Sequence, residues 1–210
     1  MVKIFKVRPL RGFMNYYTKR RAILGTSIGL LVLLYLLKNA SLSIRIFGFL
    51  FGLWVFYFFD RAFDVKYRVV HYALAVIILA FGVLLSPIYF VSENFDKVLH
   101  LVMPFVASIL LFFAVDKQKF TFRWKLLITF MFLISFLAIH EIGEFAFDYF
   151  WPLLKMQGVY LRDITGLEKY TLVLDKNTDT MLDMMFGVLG SFAFVVWKTV
   201  VSFYDKNLKG

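Results

Sequence analysis

The sequence predicts an all-α, polytopic membrane bundle of about six transmembrane helices with both termini cytoplasmic. Three observations carry that prediction. Hydrophobic residues fill 61% of the 210 positions and mean hydropathy is +0.76, against about 45 to 50% apolar residues in soluble domains. Apolar runs long enough to cross a bilayer recur along the chain. Lys and Arg gather in alternate connections between those runs, the bias that sets membrane orientation.

The runs follow in order. A basic arm, 1–21, carries Lys3, Lys6, Arg8, Arg11, Lys19, Arg20 and Arg21 and no acid. The apolar stretch Ala22–Leu37 follows it without a small-residue cleavage site, so it reads as a retained first span rather than a signal peptide. Further spans are expected at Leu42–Phe59, Val69–Val91, Val98–Val115, Leu126–Phe147 and Met181–Val201. Together 22–201 form the transmembrane domain, with a cytoplasmic tail at 202–210. The connection 149–180 is the longest, broken by Pro152, Gly158 and Gly166, and a loop of that length suits a lid.

With the N-terminus inside, 17 of the 24 Lys and Arg fall on the cytoplasmic side and seven outside. The net charge of +10 is thereby accounted for by topology, and no nucleic-acid partner is expected. The acids run the other way: ten of 14 lie in outer loops or outer helix ends. No Cys is present, which excludes thiolate metal sites, cysteine nucleophiles and a disulfide scaffold.

Chemistry is concentrated at the outer ends of three spans. Along Ala138–Asp148, His140, Glu144 and Asp148 advance about 40° at each four-residue step, and Glu141 lands near Asp148, so all four share one helical face. Asp96 and His100 share a face where the fourth span begins. Asp179 and Asp183 do so at the start of the sixth, and the same stripe continues to Gly187 and Ser191, a small-residue seam for close helix packing. Each charge costs about 2.5 to 3.5 kcal/mol at mid-bilayer; Lys97 is adjacent, and Lys155, Arg162, Lys169 and Lys176 are available only if the connection folds back, too few cations to neutralise the acids. Metal, protonation or water must therefore offset the acids.

A divalent cation answers that surplus, with His100, His140, Glu144, Asp179 and Asp183 as candidate ligands and Zn, Mn or Mg as candidate ions. Glu141, Glu144 and Asp183 are the candidate catalytic carboxylates, Glu141 serving as base, and Asp96 and Asp148 complete the cluster. The expectation is a metal-dependent hydrolase or transferase in the cell membrane, acting on a lipid or cell-envelope precursor, with the bilayer and a lipid-linked substrate as partners. A proton- or cation-coupled transporter and a non-catalytic accessory protein are the alternatives. The inner halves of the last three spans offer few polar side chains, which favours a one-sided pocket over a conduit. His71 reads as a packing residue.

Asp96-Lys97-Val98-Leu99-His100, Glu141-Ile142-Gly143-Glu144 and Asp179-Thr180-Met181-Leu182-Asp183-Met184 resemble, in order and placement, the signature blocks of YjdF-like inner-membrane proteins. The first block and the late Asp are more distantly similar to VanZ-like proteins. The resemblance covers roughly 40–200 and implies a compact helical membrane bundle with these acids and histidines grouped. It implies no particular reaction.

Overall fold

A computed structural model describes residues 16–37, 40–152, 155–162 and 170–207. Most of the basic arm (1–15), Lys38, Gly166, Lys169 and the last three residues of the tail lie outside the described residues, as do the side chains of 34–37, 40–41 and 205–207. The chain is mainly helical and divides into two compact units, 1–76 and 77–210.

The first unit holds α1 (Tyr16–Leu37), α2 (Ala40–Ala62) and the start of α3 (Val69–Leu79). Residues 16–21 of the expected arm are the opening turns of α1, and Lys19 is buried rather than free. Its ammonium lies 2.8 Å from Asp60 Oδ2 and 2.6 Å from the Tyr67 carbonyl. Asp60, fully buried, also accepts from Tyr72 Oη at 2.7 Å and the Tyr67 amide at 3.0 Å. Its charge is thus matched on every side, the condition for keeping an ion in an apolar interior. Burial, with Asp60 nearby, pushes the Tyr67 phenol up to about 12. His71 is buried against the Tyr67 ring, and its Nδ1 accepts from the Arg68 amide at 3.1 Å.

The second unit contains the end of α3, α4 (Phe95–Asp116), α5 (Phe122–Phe150), a hairpin of β1 (Val159–Arg162) and β2 (Tyr170–Leu174), and α6 (Lys176–Asn207). Among the described residues, four helices are long and apolar enough to cross a membrane, at Leu42–Ala62, Phe95–Asp116, Phe122–Phe150 and Lys176–Tyr204. The third expected span differs from prediction. Its apolar helix runs only from Val69 to Leu84, passing into a π-helical turn at Ala80–Leu84, and Ser86–Phe90 is a separate 3-10 turn. Pro87 explains the break in the α-helix: it lacks an amide hydrogen and disfavours α-helical geometry at Ser86.

Beside the helices lies one hairpin that the sequence reading did not expect, in which Val159 pairs with Leu174 and Arg162 with Tyr170, antiparallel. Both segments are rich in β-branched, aromatic and leucine side chains, which suit a pleated surface. Gly158 enters the hairpin with φ +89°, a region that favours glycine.

Heptad-like stripes bring α4, α5 and α6 together. Leu126, Thr129, Leu133, Leu137 and Glu141 form the buried face of α5, and Asp179, Asp183, Gly187, Ser191 and Phe194 that of α6. At one end Phe112, Leu126 and Phe194 form an aromatic and aliphatic core. Further along, α6 comes so close to α4 that a Cβ on Gly190 would stand 2.0 Å from the Leu101 carbonyl oxygen, while one on Gly187 would meet Leu137 Cδ1 at 2.5 Å. Gly190→Ala is therefore expected to force the α4 and α6 backbones apart and cost about 1 to 3 kcal/mol. Thermal unfolding of the purified protein in detergent measures this; a wild-type midpoint would contradict it.

Candidate functional site

The polar end of the α4, α5 and α6 cluster is built around Lys97, in the first turn of α4. Its Nζ donates to Asp96 Oδ2 at 3.0 Å, to Asp183 Oδ1 at 2.7 Å and to Asp179 Oδ1. An ammonium has three hydrogens, so all three are engaged. Side-chain exposure is 12% for Lys97, 4% for Asp179 and 1% for Asp183. Starting α4 at Phe95, three residues before the expected span, is what places Asp96 and Lys97 on the helix.

Beside this ion cluster stand the two imidazoles. His100 Nε2 is 3.6 Å from Asp96 Oδ1 and 3.9 Å from Asp183 Oδ1, and its Nδ1 is 3.9 Å from Glu141 Oε1. His140 Nδ1 lies 3.8 Å from both Glu141 Oε1 and Glu144 Oε1, and the two rings meet edge to face with centroids 5.8 Å apart. These separations are beyond hydrogen-bonding range. Both carboxylate oxygens of Glu141 and Nδ1 of His100 are buried without a hydrogen-bond partner.

Seven of the eight expected residues thus come together: Asp96, His100, His140, Glu141, Glu144, Asp179 and Asp183. The surroundings of three of them were not foreseen in the sequence. Glu141, expected as the base, has a side chain only 6% exposed, because the inward stripe of α5 passes through Leu133, Leu137 and Glu141 and leaves His140 on its flank. Asp179 and Asp183, expected as metal ligands, have their Oδ1 atoms bound to Lys97. Asp179 Oδ2 is also committed, accepting from the Gly158 amide at 2.7 Å.

Asp148 belongs to the connection rather than to the imidazole cluster. Its oxygens accept from the amides of Met156 and Gln157, at 2.7 and 3.3 Å, and from Lys176 Nζ at 2.6 Å. The cap of α6 is Asp175, whose Oδ1 accepts from the amides of Asn177 and Thr178. Bonds from the Thr178 side chain and these amides hold its carboxyl below the usual range.

Lys97 is the residue that sequence reasoning undervalued, treating it as one adjacent charge. The signal was its place between Asp96 and His100 with a stem long enough to cross to the α6 stripe. Lys176, expected to be available only if the connection folded back, does reach Asp148, whereas Lys155 Nζ sits 3.7 Å from the Tyr170 ring centroid. Removing the Asp148 anchor with Asp148→Ala should release residues 155–162 at a cost of about 1 to 3 kcal/mol. Hydrogen exchange in that segment should rise severalfold; unchanged protection would show that the anchor is not structural.

No curated protein and no solved structure matches the chain. A family model described as "Predicted membrane protein (DUF2238)" matches residues 73–202. That match takes in all of α4 and α5, the hairpin and every residue of the acid and imidazole cluster. Covering more than half of the 210 residues and the elements that build the site, it shows that the chain belongs to the DUF2238 family of predicted membrane proteins.

Proposed function

We propose that this membrane protein is an enzyme of the outer membrane face, a metal-dependent hydrolase or transferase acting on a lipid or cell-envelope precursor. The reading rests on one observation: the acids and histidines of α4, α5 and α6 converge at one end of these helices, and 101–115, 126–139 and 184–197 carry no further acid, histidine, lysine or arginine before the far ends. Ser108, Thr129 and Ser135, further along, donate to the carbonyls of Pro104, Lys125 and Met131 on their own helices, at 2.7, 2.8 and 3.0 Å. These three hydroxyls are spent on the backbone; Ser191 Oγ, buried without a hydrogen-bond partner among the described residues, stands apart from them, and together they make no continuous polar path through the bilayer. A pocket open to one face suits chemistry on a membrane-borne substrate better than conduction.

The outward orientation follows from the Lys and Arg bias, with six spans and both termini cytoplasmic, in a plasma or inner membrane. The finer likeness to YjdF-like and VanZ-like proteins agrees with this placement. A divalent cation among the imidazoles and carboxylates would polarise a phosphoryl or acyl oxygen and supply an activated water. Glu144, with a side chain 15% exposed beside the 46% exposed His140, is the carboxylate placed to move a proton at the open side. Asp183 is held by Lys97 as a fixed negative charge that keeps the ammonium in place.

Vesicles carrying the purified protein and labelled lipid pyrophosphates or lipid-linked acyl donors test the reading. Release of a water-soluble product should require added Zn²⁺ or Mn²⁺, stop with chelator, and fall about 10²- to 10⁴-fold in Glu144→Gln. Cation flux across sealed vesicles, without product from any lipid, would support the transporter instead.

A further inference from the structure

The cluster contains two overlapping sets of three ligands, His100 with His140 and Glu141, and Asp96 with His100 and Asp183; within each set the donor atoms lie within 4.8 Å of one another. Among the described residues, only one set lacks a cation. In the aspartate set the Lys97 ammonium already stands between the carboxylates, 3.0 Å from Asp96 and 2.7 Å from Asp183, and its third hydrogen goes to Asp179. A metal ion there would have to displace a tethered charge from three acids.

The other set has the opposite character. The Glu141 side chain is 6% exposed, and neither oxygen has a hydrogen-bond partner. A buried carboxylate left so is costly. His100 Nδ1, equally unpartnered, is 3.9 Å from Glu141 Oε1, and His140 Nδ1 is 3.8 Å away. These gaps are too long for hydrogen bonds, but bonds of about 2.0 to 2.2 Å to a shared ion would bridge them with small side-chain shifts. His140, nearly half exposed, leaves one side open for the ion to enter and for a further ligand.

Building on the enzymatic reading above, we infer that the protein holds a single divalent first-row transition ion at His100, His140 and Glu141, with Lys97 standing where a second ion would otherwise sit. Two imidazoles and one carboxylate favour Zn²⁺, Mn²⁺ or Fe²⁺ over Mg²⁺ and Ca²⁺, which take all-oxygen sites. Glu141 is accordingly a ligand and not a base. Asp179 and Asp183 neutralise Lys97 and bind no metal.

The test is metal content and titration of the full-length protein in detergent, stripped with chelator and reloaded with Zn²⁺ or Mn²⁺ alone. One ion per chain is expected, and His140→Ala and Glu141→Gln should each weaken binding at least about 10-fold, the smaller effect of losing even an outer-shell partner. Asp179→Asn should bind as wild type. His140 is exposed, so its variant remains informative even where Glu141→Gln fails to fold. An ion retained in His140→Ala and lost in Asp179→Asn would overturn the assignment while leaving a metal-dependent enzyme standing. A wild-type protein that takes up neither ion would overturn the assignment and the metal requirement together. Tight binding of one ion at this seat with no turnover of any lipid would uphold the assignment and remove the enzymatic reading.

Discussion

Lys97 sets the terms on which the polar end of the α4, α5 and α6 cluster can exist. One ammonium, 12% exposed, faces three carboxylates drawn from two helices, and Asp183 has almost no contact with solvent. Removing one member of such a buried ion group leaves its partners uncompensated, at a typical cost of about 3 to 5 kcal/mol. The arrangement also explains the close approach of the helices. Gly190 lets the α6 backbone reach the Leu101 carbonyl, and that proximity brings Asp179 and Asp183 within range of a lysine in the first turn of α4.

From this ion group the structure extends in two directions. Asp179 binds Lys97 with one oxygen and the Gly158 amide with the other, so the same carboxylate joins the site to the entry of the hairpin. Asp148 repeats the device near the end of α5, gripping the Met156 and Gln157 amides and Lys176. Toward the imidazoles the satisfaction of charge ends, and Glu141 and His100 are left buried with unused acceptors and donors. A protein that matches Asp60 with three donors in its first unit is able to satisfy a buried acid. Glu141 has no such match among the described residues.

Much of this was legible in the sequence, because periodicity along a helix is a local property. The apolar runs located α4, α5 and α6 to within a few residues, and counting by fours from Asp179 found the buried stripe through Asp183, Gly187 and Ser191. What escaped depends on the third dimension or on short-range conformational competition. The break near Pro87 needed the proline to prevail over an apolar run that otherwise continued to Val91. The hairpin was hidden by reading Pro152, Gly158 and Gly166 as breakers and passing over Val159–Arg162 and Tyr170–Leu174 as strands. Helical-wheel geometry put His140, Glu141, Glu144 and Asp148 on one face, but not which of them points to the centre; the leucines at 133 and 137 decide for Glu141. Lys97 was undervalued because spacing shows which residues share a face and not how far a flexible stem can reach.

The most direct test of the central ion group is a double-mutant cycle on Lys97→Met and Asp183→Asn, read as thermal stability of the purified protein in detergent. Side chains in contact in a shared buried network couple by about 0.5 to 3 kcal/mol. The double variant is therefore expected to be more stable than the two single losses added together, by an amount toward the upper part of that range. Strictly additive losses would mean that Lys97 and Asp183 do not meet, and the arrangement of the site around them would be wrong.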